Sequence, residues 1–413
     1  MKILAFFLLA CILTVTLHAQ GVLKGRVIAS DTHTPIGQAN VYLSNTAIGT
    51  VTSDNGAFVI TAFPAGRYEL VVSFIGYETY TITVLSSKLP SSLEVALKPK
   101  VNELQEVVLL PYEKNGWEKW GKFFLENFIG TSENAKQCLL LNKDVVKFRF
   151  NRKLNTLQAF ANETLLIDNK ALGYRIKYDL TRFEYDFTRK MFFYEGYPFF
   201  EEMASSRKGL TRRRAKKRED AYYGSLMHFM RSLYRNKLLE DHFEVRRLIK
   251  VSDAEKKRVL DIYRIAIQRP MADGRMLISN AFNGFPPDSA AYYHTVLQQP
   301  DKLNILVNKV LPGDSIAYGA DSVTAGFHFK DYLQVVYPLK KTPAEFFSYG
   351  QPGIVRDQPL TSEINLITGQ PLYVLANGSY YEELNLLTSG YWAWWEKIGN
   401  LLPYDYQSDK ESK

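Results

Sequence analysis

The chain has 413 residues, of which 46% are hydrophobic and 23% charged, and a formal net charge of +8. That composition excludes a disordered chain, and the length allows two domains with cores of their own. The charge does not point to nucleic acid. Residues 207–218 (RKGLTRRRAKKR) hold eight cations and no acid, and without them and Lys2 the chain is close to neutral.

The N-terminus reads as a signal peptide over residues 1–19. Lys2 precedes an uncharged apolar run at 3–17, and Ala19 closes a cleavage site before Gln20. The run is short for a membrane span, so cleavage is expected over a retained anchor. Lipidation at Cys11 is an alternative, with a poor lipobox. Removal of the signal leaves Cys138 alone, which excludes an intrachain disulfide; it reads as a buried small hydrophobe. The expected location is the periplasm or the outer membrane.

Residues 21–99 alternate as short strands separated by turns. Strand-like runs at 22–30 and 39–45 flank a turn with Pro35 and Gly37. Asn55-Gly56 lies between two further runs and predicts a tight hairpin. Strands follow within 62–84 and at 92–99, so six or seven strands in a two-sheet sandwich are expected. Residues 100–116 read as a linker.

The ordered series GRV at 25–27, PIGQANV at 35–41, TSDNGAF at 52–58, AGRY at 65–68 and FIGYE at 74–78 resembles the carboxypeptidase regulatory-like domain. The resemblance implies a transthyretin-like sandwich of the kind that recurs in Bacteroidota envelope proteins. LQEVVL at 104–109 resembles the segment that joins this domain to the plug of TonB-dependent receptors. The resemblance implies an accessory module and not a zinc site, since neither HxxE nor HExxH occurs. The residues that follow are too few for a plug and a transporter barrel.

The second domain is expected over 117–406 as α+β and β-rich, with 407–413 as a disordered tail. WEKWGKFFLENFIG at 117–130 predicts an amphipathic helix, with Trp117, Trp120, Phe124 and Phe128 on one stripe. Residues 144–187 alternate strongly and predict an antiparallel meander. Residues 219–241 predict one long helix with Tyr222, Leu226, Met230 and Leu233 on its stripe. Further strands are expected at 326–338 and 361–376. FIGTSENAKQC at 128–138, DNKALGYRI at 168–176, YYGSLMHFMRSLY at 222–234 and the WWEKIGNLLPYDY ending resemble an uncharacterised domain that follows this sandwich in Bacteroidota proteins.

Two stretches stand out as binding surfaces. Arg212, Arg213, Arg214, Lys216, Lys217 and Arg218 suit anionic lipid headgroups or lipopolysaccharide phosphates; the plainer reading is a solvated loop leading into the helix at 219. Trp392, Trp394 and Trp395 suit stacking on sugar rings; the plainer reading is a terminal helix docked into the core. His228 reads as a helix histidine bonded into the interior, and Ser205 with Lys208 matches S-x-x-K in a solvated, cation-dense setting. Three Asp-Ser-apolar triplets, at Asp288, Asp314 and Asp321, resemble O-glycosylation acceptors of exported Bacteroidota proteins. No G-x-S-x-G, G-x-G-x-x-G or P-loop occurs, so neither an enzyme nor a cofactor is expected. The expectation is an exported envelope protein that acts by binding, as an adaptor for an envelope protein or a glycan. The alternatives are a hydrolase of envelope or dietary polymers with an unfamiliar site, and a purely structural protein.

Overall fold

A computed structural model describes residues 21–100, 111–252, 254–267, 269–270, 276–277, 286–298, 302–350 and 357–408. The expected signal segment with Cys11 and the LQEVVL stretch lie outside the described residues.

The first unit has seven strands: β1 (Gly21–Ala29), β2 (Asn40–Leu43), β3 (Gly49–Val51), β4 (Ala57–Phe63), β5 (Arg67–Ser73), β6 (Tyr80–Leu85) and β7 (Leu93–Leu97). They form two sheets, β4-β1-β7 and β3-β2-β5-β6. Inward residues of both, among them Leu23, Val27, Val41, Leu70, Val72 and Val95, are fully buried and make one mostly aliphatic core. The expected Asn55-Gly56 hairpin does not form. β3 and β4 belong to different sheets, so the turn carries the chain across the sandwich. Only Gly56 takes a positive φ there (79°), because a sheet crossing does not need the paired positive values of a two-residue hairpin.

The larger unit opens with α1 (Gly116–Phe128), whose Phe124 and Phe128 are fully buried. Next come β8 (Cys138–Leu140), β9 (Val146–Asn151), β10 (Thr156–Ala161), β11 (Leu165–Asn169), β12 (Tyr174–Asp186) and β13 (Met191–Glu202). The expected meander is corrected. β12, at 13 residues, pairs with β11 through Tyr174–Tyr178 and with β10 through Glu184–Asp186, while β13 runs along its other edge. One long strand thus serves two short ones end to end. The aromatic alternation also changes phase: Tyr174, Ile176 and Tyr178 are even, Phe183 and Tyr185 odd. A β-bulge between Leu180 and Arg182 supplies the extra residue that keeps both sets on the core face.

The single helix expected at 219–241 is two helices, α2 (Lys208–Tyr222) and α3 (Leu226–Tyr234). Gly224 (φ 82°) breaks them, and Ser225 caps α3 by accepting the His228 N–H at 3.2 Å. The basic run is therefore helical, not a loop. Long cationic side chains are good helix formers when they can spread into water.

The remaining elements are β14 (Glu244–Ser252), α4 (Ala254–Ile267), β15 (Arg269–Pro270), β16 (Met276–Leu277), α5 (Pro287–Gln298), β17 (Lys302–Val310), β18 (Ala317–Gly319), β19 (Thr324–Phe327), β20 (Tyr332–Lys341), α6 (Ala344–Gly350), β21 (Pro359–Leu366), β22 (Leu372–Leu375), β23 (Tyr380–Tyr381), β24 (Leu386–Gly390) and α7 (Tyr391–Trp395). They build the sheets β17-β14-β20-β21-β24 and β18-β19-β22-β23. Phe229, Phe243, Phe327, Ile364, Val374 and Trp392 fill the core between these sheets and α3. Among the described residues no helix is long and apolar enough to cross a membrane.

The two units are joined by specific bonds. The buried Tyr42 donates its hydroxyl to Asp179 Oδ2 at 2.9 Å and to Tyr197 O at 3.1 Å, and its ring meets Phe199. The Asn45–Ala47 loop is gripped from both sides: Asn45 N–H donates to Pro198 O, Tyr404 N–H to Asn45 O, and Ala47 N–H to Asp405 Oδ1. Arg67 lies 4.0 Å from the ring centre of Tyr381. The expected disordered tail is also corrected at its start. Ser408 is fully buried and accepts the Tyr223 hydroxyl at 3.2 Å, because the C-terminal segment covers the break between α2 and α3.

Candidate functional site: a cavity between two strand edges

The two surfaces singled out in the sequence do not come together as one site. α2 has two faces. Arg214 and Arg218, four residues apart, turn inward. Arg214 donates to Met203 O at 2.7 Å, and Arg218 donates to Leu172 O at 2.7 Å, pairs with Glu202 at 2.7 Å and lies over the Tyr174 ring. These two cations fasten the helix to the β12–β13 hairpin. Arg212, Arg213 and Lys216 are exposed on the outer face, and Lys217 is half-buried. The tryptophans are structural. Trp392 and Trp394 are buried, with Nε1 donating to Gly224 O (2.9 Å) and Thr131 Oγ1 (2.8 Å). Trp395 stacks on Tyr391. Buried indoles with satisfied N–H groups form no exposed stacking platform on the surface.

The other candidates are equally placed. His228 is buried, its Nδ1 accepts the Gly224 N–H at 3.2 Å, and its ring packs on Tyr222 and Phe243. Ser205 Oγ accepts the Arg207 N–H and Lys208 is exposed, with no Ser205–Lys208 bond among the described residues. Burial pushes the Cys138 thiol up to about 12, which leaves it protonated and unreactive. Among the described residues no group of three His, Cys, Asp or Glu stands close enough to hold a metal ion.

Pattern reading missed a cavity of about 510 Å³ in the larger unit. β13 supplies one wall through Phe192 and Tyr194, and β24 supplies another through Leu386 and Leu387. The floor includes Met227, at the start of α3, and Trp392. Asn45 of the sandwich lies in the rim, so both units contribute. The size and the mainly apolar lining are those of a ligand pocket.

A few ionisable groups converge on this apolar space. Glu396 Oε1 accepts the Leu226 N–H at 2.9 Å, at the first turn of α3. Burial outweighs that bond and the neighbouring Lys397 charge, and lifts the carboxyl to about 7. Lys397 lies 4.2 Å from the ring centre of Phe192, and burial brings its amine down to about 7. Glu383 is likewise lifted to about 7, by burial first and then by Glu195 and Glu69. More than a third of Glu383 remains accessible, so water screens this shift more than at Glu396. Tyr194, which donates to Glu396 O at 3.1 Å, is raised by burial and by both carboxylates, as are Tyr380 and Tyr404. The sequence did carry a signal: Glu396-Lys397 is a charged pair between Trp395 and Ile398, where an all-apolar run is expected of a docked helix.

Comparison with known proteins bears on the first unit. Residues 23–109 match the family model of the CarboxypepD_reg-like domain. Over 112 residues the chain is 36% identical to "TonB-dependent receptor P39" of Formosa agariphila, an alignment that covers 26% of this chain. The chain spans only 10% of that receptor's length. Among solved structures, a type II cohesin–X-dockerin complex from Acetivibrio cellulolyticus is 23% identical over 18% of this chain and 51% of that chain, with a TM-score of 0.16. A putative membrane-associated protein of unknown function from Bacteroides fragilis is 10% identical over 86% of this chain and 92% of that chain, also with a TM-score of 0.16.

Proposed function

We propose, from the premise that residues 23–109 are a carboxypeptidase regulatory-like domain, that this protein is a non-catalytic, envelope-associated binding protein whose binding site is the cavity. The sandwich acts as a fixed buttress that holds one rim of the site through the Asn45–Ala47 loop. One observation carries the reading: a ligand-sized, mainly apolar cavity in the larger unit, with few convergent polar groups, to whose rim the sandwich adds Asn45. The likeness of the first unit to a stretch of a TonB-dependent receptor supports the envelope as its location. The partner is an envelope protein, with a glycan as the competing ligand class. The exposed cations Arg212, Arg213 and Lys216 offer a secondary attraction for anionic headgroups.

The test is co-purification from the protein's own cells after mild crosslinking. The unaltered chain is expected to retain a stoichiometric envelope partner, and Ala393→Trp, which puts an indole on the cavity wall, is expected to lose it. Recovery of both proteins alone would overturn the reading. A second reading, hydrolysis, draws on Glu396, whose raised carboxyl suits a general acid at neutral pH. It requires turnover of an envelope or dietary polymer that Glu396→Gln abolishes.

A further inference from the structure

The cavity meets every residue of β13 from Met191 to Gly196 and four successive residues of β24, Leu386 to Ser389. Side chains of a strand alternate between its two faces. A space that meets successive residues therefore runs along the strand's edge, not over one face. Both strands are terminal in their sheets: β13 pairs with β12 alone, and β24 with β21 alone. The cavity is a slot between the edges of two sheets.

One of these edges is already in partial use. Thr46 of the sandwich bridges Phe199 in the parallel sense, with the Asn45 N–H donating to Pro198 O at 2.7 Å and the Phe200 N–H to Thr46 O at 3.0 Å. Even-numbered residues of β13 thus present their backbone groups to this edge. By the same alternation Gly196, Tyr194 and Phe192 present theirs to the slot, where no backbone partner meets them among the described residues. An edge that has accepted a short extended segment and then continues unpaired is a template for more strand.

We propose, resting on the reading of the cavity as the binding site, that the slot takes an extended segment of a partner protein. The segment adds to β13 where the Asn45–Thr46 segment stops, and places bulky apolar side chains at alternate positions against Phe192, Tyr194 and Leu387. Backbone bonds supply the affinity and the apolar walls supply the choice of sequence.

The test uses the full chain and fluorescent pools of short synthetic peptides with Phe, Leu or Val at alternate positions, titrated to roughly 0.1 mM by anisotropy. Bound sequences are then remade with every second backbone amide N-methylated, in both phases. The expected result is a loss of about tenfold or more in affinity for one phase and little change for the other, with binding lost in Ala393→Trp and in a second filling variant, Thr388→Trp. Equal binding of both methylated phases, or no peptide binding at all, overturns strand addition and leaves the cavity open to a ligand of another class. Peptide binding that survives both filling variants overturns the cavity itself as the site.

Discussion

The sandwich and the larger unit solve burial differently. The sandwich core is mostly aliphatic, with Phe58, Phe63 and Tyr68 among its members, and its buried polar residues are the hydroxyl side chains of Ser44, Thr46, Thr52 and Ser73. The larger unit buries Asp168, His228 and Arg231 and crowds Glu396 and Lys397 around a cavity. Charges withdrawn from water cost stability unless their partners are good. The contrast teaches that the two units meet burial with different chemistry: hydroxyls alone in the first, ionisable side chains in the second.

The largest expected effect lies in the larger unit. Trp392→Ala removes a buried indole and its bond to Gly224 O, and is expected to cost about 3–5 kcal/mol in denaturant unfolding. A loss well under 1 kcal/mol would mean that the tryptophan ending is not core. Next is the division of the basic helix. Arg218→Ala is expected to cost about 1.5–3 kcal/mol, since it leaves Leu172 O and Glu202 without their charged donor. Arg212→Ala with Arg213→Ala should stay within about 0.5 kcal/mol. Equal losses would erase the distinction between the two faces. Tyr42→Phe, at the junction, is expected to cost about 1 kcal/mol, read as faster amide exchange at the Asn45–Ala47 loop. Unchanged exchange there would show that the units are not coupled through this tyrosine.

The buried charges are read by a pH profile. Glu396, lifted from 4.5 to about 7, holds its proton in the folded state where the unfolded chain has lost it, so stability falls as pH rises through that window. Lys397, brought from 10.5 down to about 7, lacks a proton that the unfolded chain holds, so stability falls as pH drops from 10.5 towards 7. Glu383 acts in the acid window and Lys340, brought down to about 8 by burial, in the alkaline one. Thermal stability should therefore dip near neutrality. Glu396→Gln should flatten the acid limb and Lys397→Met the alkaline limb. Limbs that keep their slopes in these variants would place the titrating groups elsewhere.

Much of the fold is legible in the sequence because it depends on near neighbours. Period-two runs and turn residues mark the sandwich, whereas the change of phase between Tyr178 and Phe183 is passed over when 144–187 is read as a single meander, and the pairing register shows it to be a bulge. The tryptophans and His228 take their plainer, interior readings for the same reason: large aromatic surface goes inside. What local pattern cannot show is pairing at long range. Asn55-Gly56 fits a hairpin locally, yet the sheet assignment of β3 and β4 decides otherwise. The stripe from Tyr222 to Leu233 continues across Gly224 although the helix does not. The cavity leaves only the Glu396-Lys397 pair as a local trace, because its walls come from β13, β24 and α7, and only their packing brings Glu396 beside Tyr194.

The most direct measurement is site-specific photo-crosslinking in the protein's own cells. A benzoylphenylalanine at Phe193, in the cavity wall, is compared with one at Arg212, on the outer face of α2. Light-dependent capture of one defined envelope component at Phe193, and none at Arg212, is the result predicted. Capture at Arg212 with none at Phe193 would contradict the assignment of binding to the cavity and return it to the basic face of the helix.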